Sequence, residues 1–404
     1  MGPLKDIKIF DMTRVLAGPH CTQILGDLGA DIIKVERVEN GDDTRKFAPP
    51  FMKDKNGNDT DQSAYFSGTN RNKRSITLNL NSPEGQDIAK KLIAKSDILV
   101  ENFKVGTLKK YGLDYETLKN EFPSLIYCSI TGFGQTGPYS KRPAYDALVQ
   151  AMGGVMSLTG DAKGEPMKVG VSIADLMAGM YGTVSILAAL RHRDQTNEGQ
   201  HLDISMLDAH VAWLANQGMN YLATNENPER LGNQHPNILP YQVMPSQDGY
   251  FVLSVGNDAT FERFCKVALC EDLLEDEIYS EAINRVKNRK VVTKTLNDIT
   301  KQHPTKWWLE RLEKSNIGCC AINTLEDVFK DPQVLAREMV IKMSGTAPDK
   351  LPYKLIANPM KMKEGSISYR YPPPKHGEHT DEILRDYLNL SKDEILKMKK
   401  SGII

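Results

Sequence analysis

Short β-rich runs alternating with amphipathic helical segments through the first half of the chain leave it few folds to adopt. IKIFDM is followed by a helix through Cys21 to Leu28, then DIIKVE, ITLNL, a helix opened by Ser82-Pro83, DILVEN and LIYCSIT. Ser82 as cap and Pro83 in the first helical position form a clear start signal. Such alternation implies a largely parallel sheet with helices on both faces. The expected class is α/β, with a Rossmann-like open parallel sheet in a large domain and a smaller α+β domain after it. Two long helices are expected beyond LIYCSIT, one from about Ser172 to His192 and one from about Ser205 to Leu222.

The chain has 404 residues, too many for one ordinary core. Residues 1–223 are read as the large domain. Residues 224–242, rich in Asn, Pro, Gly and His, are read as a linker. YFVLSVGND opens a small α+β domain over 243–332, whose core takes in Trp307-Trp308. Residues 333–404, with the PPPKHGEHT turn, are expected to pack back on the large domain.

A net charge of −1 gives no global attraction to nucleic acid or an anionic membrane, and neither partner is expected. Any polyanionic ligand must be met by local clusters: Arg71, Lys73 and Arg74 in NRNKRS, Lys109-Lys110, Lys141-Arg142, and Arg37 after DIIKVE. Ligands bind at strand ends in open α/β sheets, and Arg there can grip phosphate with two parallel bonds. For each cluster taken singly the alternative is a solvated surface face. Six cysteines without a C-x-x-C pair suit a reduced compartment, and no metal is expected; His376-Gly-Glu-His379 reads as a polar turn. MGPLKDIKIFDM, lacking an apolar signal core, reads as a mature or cytosolic start.

The 22 residues between Lys168 and Arg191 contain one full charge, Asp175. An ionised carboxylate in an apolar setting requires a partner, a helix terminus or a function. Ser172-Ile-Ala-Asp175 fits a capping box, in which first-turn amides hold the acid at low pKa. The same geometry suits a carboxylate nucleophile, and Gly170, Ala174, Ala178 and Gly179 leave space beside it for a ligand. Gly132-Phe-Gly134-Gln135-Thr-Gly137 has the G-x-G-x-x-G spacing, yet Pro138 and Pro143 interrupt the helix that a dinucleotide would need. It reads as a flexible loop near the ligand.

TRVLAGPHCTQILGDLGADIIKVE, GDDTR, NRNKRSITLNL, VENFKVGTLKKYGL, YCSITGFGQTGPYSKRPAYDAL, SIADLMAGMYG and GEHT, in this order, closely resemble the class III CoA-transferase family. Within it the motifs look most like members that pass CoA from succinyl-CoA to glutarate. The resemblance makes Asp175 the nucleophile, attacking an acyl-CoA thioester to give a mixed anhydride and then an aspartyl-CoA thioester. It implies CoA contacts at Val15, Leu16, Arg37, Leu78, Asn102 and Lys110. Lys110 stands where some members have Arg, and Pro143 replaces a contacting Lys, leaving Arg142 or Lys141 to substitute. Amides around Gly134 and Gln135 would serve as oxyanion donors. Tyr145 would line the acyl pocket, while Arg45 and the Asn233 to His235 stretch would hold a distal carboxylate. α-Methylacyl-CoA racemases share the fold but use a histidine where Tyr145 stands, and tyrosine is a poor neutral-pH base. By resemblance, coenzyme A and acyl-CoA are substrates with no permanently bound cofactor, the chain forms an interlocked homodimer, and the location is mitochondrial, or otherwise cytoplasmic.

Overall fold

The computed structural model describes residues 2–54, 56–344 and 353–404 and divides into two compact units. One comprises 1–153, 169–213 and 333–404; the other comprises 154–168 and 214–332, which takes in the stretch read as a linker.

The first unit is built on six parallel strands: β1 (Lys8–Asp11), β2 (Asp31–Glu36), β3 (Lys73–Thr77), β4 (Ile98–Glu101), β5 (Ile126–Thr131) and β6 (His201–Ser205). Their spatial order is β3-β2-β1-β4-β5-β6. The period-2 side-chain alternation decides the two faces. Ile9, Ile32, Ile98 and Ile126 point to one core, while Phe10, Ile33, Leu99 and Tyr127 point to the other. Both faces are therefore covered, as an all-parallel sheet requires. Strand β6 was not among the runs expected from sequence. Its HLDIS carries three polar residues because it is an edge strand and buries little.

Helices α1 (Ala17–Asp27) and α5 (Ile173–Thr196) cover the first face. Every residue of α1 except His20 is buried, as expected of a helix enclosed between a sheet and a second helix layer. Contact between the two helices depends on Gly179, where a Cβ would lie 2.6 Å from the Ala17 carbonyl oxygen. Ala174 and Ala178 are buried in the same core. Ala174, Ala178 and Gly179 thus lie in the core and bring α1 close, correcting the expectation that they leave room for a ligand, whereas Gly170 is exposed with open space beside it. Among the described residues α5 is the one helix long and apolar enough to cross a membrane. One side of it is core, whereas Met180, Tyr181, Val184 and Leu187 are exposed.

Helix α3 (Pro83–Ile93) and the C-terminal helices Thr380–Leu388 and Lys392–Lys400 cover the second face. Ser82 caps α3 by accepting from the Gly85 amide, with Pro83 next. The GEHT turn is tied to β3: the Gly377 amide donates to the Ser75 hydroxyl at 2.9 Å, and the Ser75 amide donates to His379 Nδ1 at 3.2 Å. The helix expected from Ser205 to Leu222 is interrupted. It forms α6 (Met206–Val211), a tight turn over Ala212–Leu214 and a separate helix, Ala215–Thr224.

In the second unit, Tyr241–Pro245, Tyr250–Ser254 and Gly318–Ala321 form an antiparallel sheet. Phe251, Phe264 and Trp308 fill its core, and the Trp308 indole N–H donates to the Thr300 carbonyl at 2.8 Å. Trp307 is only partly buried and stacks on His303.

Candidate active site

Strand order reverses between β1 and β4, and in open α/β sheets the crevice beyond the carboxyl ends at such a point receives ligands. Here the loops leaving β1 and β4 meet. Asn102 Oδ1 accepts from the Arg14 amide at 2.9 Å, and Asn102 Nδ2 donates to the Arg14 carbonyl at 2.7 Å. A cleft of about 340 Å³ opens beside this junction, lined by Arg14 to Ala17, Asn102 to Val105, Ile130 to Gly132, Arg142 to Asp146, and Asp175. A second cleft of about 160 Å³, lined by Arg37, Leu78, Asn81 and Tyr111 among others, shares Arg14 and Phe103 with the first. A long ligand could occupy both.

Asp175 lies in the first turn of α5, which aims it into the larger cleft. The capping box does not form, because the Ser172 side chain caps nothing. Instead Asp146, at the start of α4 (Asp146–Met152), accepts from the Ala174 amide at 2.9 Å. The low pKa expected of Asp175 is corrected with it. Burial, and then repulsion from Asp146, raise the Asp175 carboxyl to about 7, while a hydrogen bond from the Ala17 amide partly opposes them. Asp146 is held on its other oxygen by Gln150 Nε2 at 2.6 Å. Tyr65, on α2 (Ala64–Thr69), bonds Ser172; burial and the charge of Asp175 raise its phenol.

Several residues named from sequence converge here. Val15, Leu16, Asn102, Arg142 and Tyr145 line the cleft with Asp175, and Arg37 and Leu78 line its neighbour. Tyr145 is 71% exposed. The Asn102 amide is engaged at both ends by Arg14, so its side chain shapes the loop. Lys110 lies over the ring of Tyr111, 4.4 Å from its centroid.

Others are placed differently. The Gly134 amide donates to the Thr131 hydroxyl at 3.0 Å and the Gln135 amide to Asp203 at 2.9 Å, so neither is free to stabilise an oxyanion. The amide that meets Asp175 comes from α1. Arg45 grips the buried Glu36 with two nitrogens at 2.6 and 2.7 Å, and its third donates to the Pro374 carbonyl. All three nitrogens are thus engaged within the protein, and Arg45 lines neither cleft, so it is not placed to hold a distal carboxylate. The NRNKRS cluster is structural: Arg71 pairs with Asp27, Lys73 with Asp11, and Arg74 with Asp31 and Glu382. These side chains are committed to carboxylates of the protein, those of Asp27 and Asp11 fully buried, and not to phosphate. His235 belongs to the second unit, where it stacks on Tyr241 and its Nδ1 accepts from the Asn237 amide.

Three site residues escaped the sequence reading. Arg14 lines both clefts, pairs with Asp43 at 3.5 Å, and has a buried Nε without a hydrogen-bond partner among the described residues. Its signal was its place directly after the first strand. Asp146, in AYDAL, was a second acid close to Tyr145. Tyr65 carried no signal, since only the fold brings residues 65 and 175 together.

The sequence pattern of CoA-transferase family III matches residues 4–380. The chain is 44% identical to succinate–glutarate CoA-transferase of Agrobacterium fabrum, covering 95% of each chain. It is 38% identical to human succinyl-CoA:glutarate CoA-transferase, covering all of this chain and 90% of that one. The crystal structure of a CAIB/BAIF family protein from Brucella suis superposes with a TM-score of 0.84 at 43% identity, over 96% of this chain and 99% of that one. A parallel sheet with its cleft at the strand-order reversal, an acid in that cleft and these matches lead to one assignment: the chain belongs to CoA-transferase family III.

Proposed function

We propose that the protein moves CoA from succinyl-CoA to glutarate, with Asp175 as covalent nucleophile. Acyl-CoA and carboxylic acids are its substrates, consistent with the relatives named for succinyl-CoA and glutarate. The observation that carries the mechanism is the first-turn carboxylate of α5, Asp175, facing a cleft at the switch point, with an α1 amide on it. A CoA chain would run along both clefts, its adenine end near Arg37 and Leu78 and its thioester at Asp175, with Val15, Leu16, Arg142 and Lys110 along the way.

The Asp175 carboxylate attacks the succinyl thioester carbonyl; the C–S bond breaks, releasing CoA thiolate and leaving a succinyl-aspartyl anhydride. Thiolate then attacks the aspartyl carbonyl, and succinate leaves. Glutarate attacks the resulting aspartyl-CoA thioester, expelling thiolate and forming an aspartyl-glutaryl anhydride. Thiolate attack on the glutaryl carbonyl gives glutaryl-CoA and regenerates Asp175. One thioester replaces another with no net proton change, so the equilibrium lies near unity. Asp175 is half-buried, and a CoA chain filling the cleft would complete the exclusion of water from the anhydrides. The direct test is incubation with succinyl-CoA and glutarate: glutaryl-CoA and succinate should appear in equal amounts, and a lack of glutaryl-CoA would refute the acceptor assignment.

Only the ionised acid can attack. kcat/KM should therefore rise with pH through about 7, where the Asp175 carboxyl titrates, and level off above it. Asp146→Asn removes the repelling charge while keeping an acceptor for the Ala174 amide, so this acid limb should move to lower pH. A limb unmoved in the variant would show that Asp146 does not tune Asp175.

We further propose a homodimer, because the exposed Met180, Tyr181, Val184 and Leu187 give α5 an apolar strip that a second copy would cover. Light scattering that returns a monomer at assay concentration would contradict this.

A further inference from the structure

Between the end of β1 at Asp11 and the start of α1 at Ala17 the chain has no regular structure, yet side chains hold its backbone at Thr13, Arg14 and Val15. The Thr13 amide donates to Asp11 at 2.8 Å, and Lys34 Nζ donates to the Thr13 carbonyl at 3.0 Å. Asn102 takes both polar groups of Arg14. The Val15 amide donates to Asp42 Oδ1 at 3.3 Å, and Asp42 also accepts from Lys34 at 2.9 Å and from the Thr44 amide at 3.0 Å. Val15 has a φ of 69°, a left-handed conformation that a β-branched residue adopts only when its surroundings impose it. The loop lies directly on α1, for a Cβ at Gly18 would come within 2.4 Å of the Thr13 side chain.

Lys34 and Asp42 have fully buried side chains and line neither cleft. A sealed ion pair adds little net stability compared with apolar packing, because desolvation offsets the attraction. What apolar residues could not supply is direction: one partner fixes a carbonyl at 13 and the other an amide at 15. We propose that Lys34 and Asp42 are positioning residues, which hold the Thr13–Val15 loop in its left-handed kink and thereby aim the Ala17 amide at the Asp175 carboxylate. This deepens the transferase reading and rests on it.

The Ala17 hydrogen bond favours the charged form of Asp175. Facing it are Asp146 from α4 and Tyr65 from α2, with Arg14, Asp43, Lys104 and Arg142 around the rest of the cleft. If the amide is misplaced, burial and Asp146 act unopposed, and the acid limb of kcat/KM moves to higher pH.

The test is the double variant Lys34→Met/Asp42→Asn, which removes both charges without stranding one. It should lower kcat by about tenfold or more and shift the acid limb upward. Asp42→Asn alone, which keeps an acceptor for the Val15 amide, should fall between it and the parent. A folded double variant with parental kcat and limb overturns the proposal, as does a lowered thermal midpoint with both kinetic readouts unchanged. If the double variant does not fold, Asn102→Leu releases the same loop from its other side and should shift the limb in the same direction; an unmoved limb overturns the proposal. Asp175→Ala is assayed in parallel. Turnover by that variant would overturn the transferase mechanism together with this inference, whereas a dead Asp175→Ala beside an unaffected double variant defeats the positioning claim alone.

Discussion

Asp175→Ala should lower succinyl-CoA:glutarate turnover on the order of 10⁴-fold or more, the loss typical of removing a covalent nucleophile. Nothing else lining the cleft can replace it without rearrangement. Asp146 is held by the Ala174 amide and by Gln150, and Asp43 pairs with Arg37. CoA binding should persist, because the remaining lining residues are unchanged; isothermal titration with CoA checks this. Asp175→Asn is the sharper partner variant, since it preserves shape and removes nucleophilicity. Normal turnover in that variant would rule out the covalent route. Exchange of an α-proton into solvent without acyl transfer would point instead to racemase chemistry, which Tyr145 disfavours because phenol is a weak base near neutrality.

The second large effect is on stability. Arg71→Met should destabilise the protein by about 3–5 kcal/mol, because it strands the carboxylate of Asp27 in the core. Asp27 is fully buried and accepts from Arg71 at 2.6 and 2.9 Å, from Asn72 at 2.8 Å and from Asn358 at 3.1 Å. The same guanidinium donates to the Ile356 carbonyl at 2.8 Å, so one side chain ties α1 to the C-terminal segment. Equilibrium unfolding in urea measures the loss. KM for succinyl-CoA should remain unchanged under conditions where the variant is folded. A raised KM with intact stability would return Arg71 to the role of phosphate ligand.

The strands and helices of the first unit were legible because the Ile9/Phe10, Ile32/Ile33 and Ile98/Leu99 pairs send one residue to each face, and Ser82-Pro83 marks a helix start locally. The edge strand His201–Ser205 was not, since an edge requires little apolar sequence. Asp175 stood out as the lone charge in the apolar stretch 169–190, and the residues after β1 and β4 followed from the family motifs. Its proton affinity did not: that depends on Asp146 and Ala17, which lie 29 and 158 residues away in sequence. Basic clusters misled for a related reason. Arg45, Arg71 and Arg74 look like free cations in a string of letters, whereas the carboxylates they neutralise are brought to them by the fold, Glu36 and Asp31 from β2 and Asp27 from α1.

The central claim, that Asp175 itself carries CoA during turnover, is tested most directly by mass spectrometry of enzyme incubated with succinyl-CoA alone and quenched with hydroxylamine. A hydroxamate on the peptide containing Asp175, suppressed when excess succinate drives the thioester back, is the predicted result. Unmodified Asp175 in enzyme that turns over normally, or the label on a different carboxylate, would contradict it.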